Sequence, residues 1–466
     1  MKLPTITSLL TALLLNNMQI SALAQDNQQI TTSMSLKQAQ EYAIKNNANS
    51  RNSVLDMEIA KKKVWETTAI GMPQVNAGGN YQHLFIVPEM SFGGNPYLKT
   101  VLADGTPLLS QDINKNVTIA YNEVPPIKLG VANNVTFDVT VSQLLFSGEY
   151  IVALQATKVF YLMTTQNKEK TEIDLKETVA NSYALALVLE QSRNVLTQSQ
   201  ENTNKTFSDM QQMLKQGLVE NTDVDQIELV SLTLKNALSS MNRQLNATYD
   251  LIKFQIGMPF ADKIILTDNL DEIANTVNLV TIIGTQFNIN NNLDYQILTT
   301  SETISALNLK REKSTYLPTI NAVYRHTQLL NEPEFNFTPK DVFQVSLNLP
   351  IFSSGSRNVK VQQRTMELQK TKNTKENLAN GLQLQYITTR NELTTAYETY
   401  LNNKKNIELT KRIYDKTLIK FNEGIASSRE ITDNLNQYLT AQTNLYNSIF
   451  SIISAKNKLD KLNNNL

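Results

Sequence analysis

The 466-residue sequence has no cysteine, two histidines and one tryptophan, with only 14 glycines and 12 prolines. The missing cysteine excludes a disulfide scaffold and an N-terminal lipid anchor on cysteine. Beyond the first residues no stretch approaches the roughly 20 consecutive apolar residues a membrane helix needs, so any membrane would be met through strands. Charge of one sign is also lacking. The 43 basic residues balance 43 acidic ones, and Lys and Arg are scattered rather than gathered into a stripe, which argues against nucleic acid as a partner. Few glycines and prolines among many Asn, Gln, Leu, Ala and Thr suit long helices with polar faces better than a loop-rich enzyme.

What is present begins with a leader. Lys2, an apolar run from Ile6 to Leu15, and Ser21-Ala22-Leu23-Ala24 before Gln25 have the layout of a secretory signal peptide. Cleavage is expected after Ala24, so residues 1–24 are set aside.

The remainder repeats itself. Met72-Pro73-Gln74-Val75-Asn76-Ala77 is answered by Leu317-Pro318-Thr319-Ile320-Asn321-Ala322 at an offset of 245, and Ile44, Asn46 and Asn47 recur as Ile289, Asn291 and Asn292. Further on, Phe137, Val139, Val141, Leu145, Phe146 and Ser147 match Phe343, Val345, Leu347, Ile351, Phe352 and Ser353 at 206, and Gly217 matches Gly424 at 207. Two tandem copies of one unit follow: a first over 25–260, a linker over 261–283, and a second over 284–466. The fall from 245 to 206 marks 39 extra residues in the first copy, between Pro73 and Phe137.

Within each copy the hydrophobic period changes in the same order. Ser35 to Ile70, and its counterpart near Gly284 to Tyr316, have helical propensity and no interior proline. Alternating segments follow: Val135, Phe137, Val139 and Val141 interleave with Thr136, Asp138, Thr140 and Ser142, and Phe343, Val345, Leu347 and Leu349 with Gln344, Ser346 and Asn348. With Gln74–Phe85 and Thr319–Leu330 as partners, each chain carries four two-faced strands. Long proline-free stretches come next, about Glu149–Lys215 and Arg357–Phe421, each a rod of about 100 Å if helical. Leu175, Val179, Ser182, Ala186, Leu189 and Leu196 step by threes and fours, as do Leu382, Tyr386, Thr389, Leu393, Ala396 and Tyr400, which marks a coiled-coil seam. Each rod turns at its glycine into a shorter helix, Thr222–Gly257 or Arg429–Lys461. Two such helices end to end match one rod, so short helices are expected to stack in series beside long ones.

Four amphipathic strands cannot close on themselves, and open sheet edges do not survive in lipid, so the strands must be shared among several chains. Three copies would supply twelve strands, an even number within the range of outer-membrane barrels, with apolar residues toward lipid and polar ones toward a wet interior. The insertion, about 87–131 and running through Gly93-Gly94-Asn95-Pro96 and Pro125-Pro126, then becomes a surface loop of the first hairpin, placed to cap or narrow the outer mouth.

The leader, the duplicated order of helix, strand, strand, long helix and short helix, and the paired glycine turns resemble the TolC-type outer-membrane efflux family over nearly the whole mature chain. That resemblance implies a mainly α fold with a β-barrel part: an antiparallel coiled-coil helical barrel in the periplasm, and four membrane strands per chain closing a twelve-stranded barrel as a homotrimer. It also implies an equatorial belt, outer-membrane lipid around the strands, and a tip that meets a periplasmic adaptor (membrane fusion) protein and an inner-membrane pump, in a tripartite efflux or type I secretion system. Glu430 and Asp433 occupy the positions where the family rings its inner aperture with acid. Threefold symmetry would stack two rings that favour cations, whereas the plain reading is a helix start whose acids complement its dipole. Asp223 stands where the family has an acid that hydrogen-bonds to close the tip, but its usual tyrosine and arginine partners are replaced by Phe421 and Ala426, which cannot make those bonds. Asp223 is then either a helix cap or part of a gate closed by packing around Phe421. Gly217 and Gly424 give the freedom a tight reversal needs, and in the family such turns also touch the adaptor.

Nothing in the sequence announces chemistry. His83 and His326 lie on expected strands without metal-binding spacing or a nucleophile motif, and read as lumen or rim residues. Trp65, on a helix, reads as packing. No enzyme, cofactor or metal site is expected. The alternative to passive conduction is a pore-less periplasmic coiled-coil structural or adaptor protein, which has no use for two strand pairs patterned for lipid.

Overall fold

The computed structural model describes residues 31–91, 96–99, 118–121, 125–275, 286–333 and 336–466. The expected leader, much of the first-hairpin insertion and the later part of the expected linker fall outside them. In chain order the elements are β1 (Thr31–Met34), α1 (Leu36–Asn46), α2 (Ala48–Ile70), β2 (Gln74–His83), β3 (Glu89–Met90), β4 (Pro96–Lys99), β5 (Thr118–Tyr121), β6 (Ile127–Lys128), β7 (Asn133–Ser147), α3 (Gly148–Lys215), α4 (Asn221–Ile256), β8 (Lys263–Leu266), α5 (Leu270–Asn275), α6 (Leu293–Ser314), β9 (Thr319–Leu329), β10 (Asp341–Asn348), α7 (Ser356–Asn422) and α8 (Ser428–Leu462). The rods α3 and α7 have 68 and 67 residues and the short helices α4 and α8 have 36 and 35, so each rod is about two short helices long. Two compact units result, one drawn from residues 1–52, 170–292 and 382–466, the other from 53–169 and 293–381. Each takes residues from both copies of the repeat.

The first unit is helical with one small sheet. Ser35 opens α1 with a capping box, its hydroxyl accepting from Gln38 N while the Gln38 side chain accepts from Ser35 N. The single helix expected over 35–70 is broken at Asn47, which takes an extended conformation (φ −61°, ψ 135°). Its Oδ1 accepts from Asn49 N at 2.8 Å and Ser50 N at 3.3 Å, restarting the helix as α2, and its Nδ2 donates to Gln255 O at 2.7 Å. The second copy repeats the device: Asn292 Nδ2 donates to Leu462 O at 3.1 Å. Gln255 and Leu462 are themselves 207 residues apart. The recurring asparagine therefore ties each copy to the end of its own short helix.

Two apolar clusters hold this unit together. One gathers Ala39, Ala43, Val179, Tyr183, Ala186, Ile252, Ile256, Ile449 and Ile453. It also buries Ile264 and Leu266 of β8, which pairs in parallel with β1 from Thr31↔Lys263 to Met34↔Leu266. That two-stranded ladder was not expected from the sequence. Tyr183, fully buried, donates to Met34 O at 3.0 Å and accepts from Thr267 N and Asp268 N. Burial pushes the phenol up to about 12, so it stays neutral. The other cluster, at the rod ends, is Met210, Val224, Ile227, Leu234, Tyr414, Ile431 and Leu435. The expected seams are found here too, with Val179, Ala186, Leu189, Leu382, Tyr386 and Leu393 buried.

The second unit carries an antiparallel sheet in the order β10-β9-β7-β2. The first hairpin continues past β2 as the short ladder β3–β6, and β4 pairs with β5. A bulge between Leu144 and Phe146 resets the β7–β9 register near the rod. Trp65 on α2 is 64% exposed, so the packing expected of it is not met within the chain. Among the described residues no helix is long and apolar enough to cross a membrane.

Candidate functional site

Two places carry the residues singled out from the sequence: the tips of the helical hairpins and the faces of the sheet. At the tips the two copies make the same turn. Gly217 and Gly424 have φ of 72° and 74°. Leu218 N bonds Met213 O at 3.0 Å and Gly217 N bonds Leu214 O at 3.0 Å, while Ile425 N bonds Lys420 O at 2.8 Å and Gly424 N bonds Phe421 O at 2.9 Å. This is the glycine-terminated helix end that satisfies two orphan carbonyls with a left-handed residue.

Between the two tips lies a cleft of about 1050 Å³ whose lining includes Gly217, Asp223, Phe421, Gly424, Ala426 and Ser428. Five residues chosen from sequence thus meet in one place. The sixth, Ser428, was missed, and it changes the reading of the gate: its hydroxyl donates to Asp223 Oδ1, joining the start of α8 to the start of α4. Ser428 is buried and Asp223 half-buried, so the bond is partly shielded from water. Asp223 does not cap its helix; the cap position is Glu220, which makes no side-chain cap bond. Phe421 packs against the rod-end cluster, and Ala426 N bonds Lys420 O. No sequence signal marks Ser428 as a partner, because the two residues stand 205 positions apart.

Glu430 and Asp433 are not in that cleft's lining. Both are exposed on the first turns of α8, off the face that buries Ser428, Ile431 and Leu435. Ser427 caps the helix, its Oγ accepting from Glu430 N at 3.2 Å. Asp433 lies 3.9 Å from Arg429, a loose surface pair worth little in water. In the rod-end cluster Tyr414 and Tyr438 stack at 5.8 Å, and burial raises both phenols.

The sheet has two chemically distinct faces, fixed by its register. Val75↔Val141↔Tyr324↔Phe343 and Ala77↔Val139↔His326↔Asp341 are rows of one face, which also holds Tyr81, Phe137, Val345 and Leu347. The opposite face carries Asn76, Thr136, Asp138, Thr140, Ser142, Arg325, Thr327, Gln344 and Ser346, with Thr327 donating to Asp138 across β9 and β7. Apolar residues on the first face remain open in the single chain: Val75 is 68% exposed, Phe343 71% and Leu347 64%. The two edges, β2 and β10, have no partner strand among the described residues. Both histidines lie on this face toward the hairpin ends of their strands, His83 paired with Asn133 and His326 with Asp341.

No protein-family model matches the sequence, and no curated protein matches it. Solved structures do. The chain is similar to CusC, from a study of conformational changes accompanying folding and transmembrane channel formation (TM-score 0.70, 13% identity, covering 92% of this chain and 91% of that one). It is similar to the outer membrane protein VceC of Vibrio cholerae (0.68, 12%, 92% and 96%) and to the Campylobacter jejuni CmeC outer membrane channel (0.68, 12%, 92% and 86%). The single chain therefore has the fold of these outer-membrane channels, mainly helical with strands, as the resemblance implied for one subunit.

Proposed function

We propose that this chain is one subunit of an outer-membrane channel, a passive, non-enzymatic exit duct for an efflux or secretion machine powered by an inner-membrane partner. The observation that carries the reading is the sheet: four strands with one exposed apolar face, one polar face and two edges that have no partner strand among the described residues. Such a sheet is stable in a bilayer only if its edges are consumed by other copies, and three copies give twelve strands with the polar face inward. The rods then wall a tunnel through the periplasm, and the hairpin tips form its inner aperture and the surface for an adaptor.

In this reading Glu430 and Asp433, exposed and one helical turn apart, form stacked acidic rings that favour cations. The tip is closed by the Asp223–Ser428 bond together with packing around Phe421, a latch between the two hairpins of one chain. The test of the sheet is cysteine placed singly at Phe343, Gln344, Val345 and Ser346 in this cysteine-free protein, reconstituted in vesicles. A water-soluble thiol reagent is expected to reach 344 and 346 and to spare 343 and 345; uniform labelling would discard the barrel.

A further inference from the structure

Trp65 is the chain's only tryptophan, and the place of its helix accounts for its exposure. The helical segments next to the sheet follow the strand order. The Thr67 and Thr157 hydroxyls meet at 3.4 Å and Tyr150 Oη donates to Thr68 O at 3.0 Å, joining α2 to α3. Thr300 donates to Gln166 Oε1 at 2.8 Å, joining α6 to α3. Lys375 Nζ donates to Glu302 Oε2 at 2.8 Å and Ser305 meets Thr371 at 3.2 Å, joining α7 to α6. The row is therefore α2-α3-α6-α7. Its two ends continue the two sheet edges, since α2 leads into β2 and β10 leads into α7.

Each end helix packs with one heptad stripe and exposes a second. On α2, Ser53, Met57, Ala60, Val64 and Thr67 are buried or half-buried and step by fours and threes. Leu55, Glu58, Lys62 and Trp65 each stand two residues before a member of that stripe. On α7, Arg357, Val361, Arg364, Leu368, Thr371 and Lys375 are half-buried with the same steps, on the side that bonds α6. Val359, Gln363, Met366 and Lys370 each stand two residues after a member. Two residues turn a helix by about 200°, so both second stripes lie on the far side from the helix's own partner. Leu55 is 58% exposed, Val359 52% and Met366 69%, comparable with Trp65.

We propose that the second stripes meet across the seam between copies, with Trp65 of one copy packed against Val359 and Met366 of the next; this rests on the shared-barrel reading above. Pairing β10 of one copy with β2 of the next, antiparallel, brings the attached helices side by side, the end of α2 against the start of α7. Counted from those ends at about 1.5 Å per residue, Trp65 lies about 8 Å along, between Val359 at about 5 Å and Met366 at about 15 Å. A helical side chain leans toward its own N-terminus. Because the two helices run in opposite senses, the indole and the Met366 thioether lean toward each other, and such a sulfur–aromatic contact is favourable. Glu58 at about 18 Å falls beside Lys370 at about 21 Å, opposite charges at one level. Lipid is a poorer neighbour for this stripe, which sets Glu58 and Lys62 beside the tryptophan.

With a single tryptophan, fluorescence of the natural mature protein reads the contact directly. In a verified trimer acrylamide is expected to quench Trp65 about threefold less than in the urea-unfolded chain, as for a packed indole. Val359→Ala together with Met366→Ala should restore much of the quenching. A Glu58→Cys, Lys370→Cys protein is expected to be joined chain to chain by a bismaleimide spanning about 10 Å, the separation of packed helices, and either single variant is not. Free quenching of Trp65 in the trimer, quenching by brominated lipid chains in vesicles, or no link in the paired variant overturns the seam and leaves the channel standing. A protein that forms no trimer overturns both.

Discussion

The two copies of the repeat share a backbone and differ in what their side chains are free to do. Their rods, glycine turns and short helices superimpose in sequence at a constant offset, and their asparagines tie the same helix ends. Yet Asp223, bonded to Ser428, corresponds to Glu430, which is exposed, while Ser428 corresponds to Asn221. The scaffold occurs twice, and side-chain divergence bonds one acid across the two tips and leaves its twin facing water. The hairpins differ likewise: the first carries the insertion between β2 and β7, while the second joins β9 to β10 through residues 330–340.

The largest effect that would sharpen this comparison concerns a third glycine. Gly257 ends α4 with φ 75°, and a Cβ there would lie 2.6 Å from Asn46 O, where Gly217 and Gly424 have open space. Gly257→Ala is expected to destabilise by more than ~3 kcal/mol, through strain and displacement of the backbone it meets. Gly217→Ala and Gly424→Ala should lose only about 1 kcal/mol each, by urea unfolding; unequal losses would show that the two tips are not equivalent.

Next comes Tyr183. Its folded value is about 12 against an ordinary 10.0, so the folded state holds the proton longer than the unfolded one. Its contribution is present below pH 10 and lost as pH rises toward 12, a change of roughly 2–3 kcal/mol. Tyr183→Phe should flatten that loss in an alkaline unfolding series and should reduce stability at pH 7 by about 1–3 kcal/mol.

At the tips, Asp223→Ala is expected to raise basal leak and to loosen the hairpins by about 1–3 kcal/mol, because a buried hydroxyl loses its acceptor. Glu430→Gln should change stability by less than ~0.5 kcal/mol. Phe421→Ala should also raise leak; an unchanged leak would leave closure to the hydrogen bond alone.

Much of this architecture was legible in the sequence because it is periodic. Rods, seams and hairpin strands repeat a pattern over many residues, and the ends of α3 and α7 fall within one residue of those expected. What escaped was short or non-local. β1 and β8 are four residues each, too brief for a period to show, and gain their meaning from Tyr183. The break at Asn47 turns on one side chain competing with its helix. The pairs Tyr81 and His83, and Tyr324 and His326, recur at an offset of 243 rather than 245 and so stood apart from the repeat. Asp223 could be singled out from its place beside the glycine turn, but its partner Ser428 could be found only by folding the chain.

The central claim is that three copies enclose a conducting path with an acidic inner aperture. Ion conductance of the purified mature protein in planar bilayers tests it, comparing the natural sequence with a Glu430→Gln, Asp433→Asn variant. Discrete current steps whose cation preference falls in the variant are the predicted result. No steps from a verified, folded oligomer would contradict the channel, and steps indifferent to the two substitutions would contradict the ring.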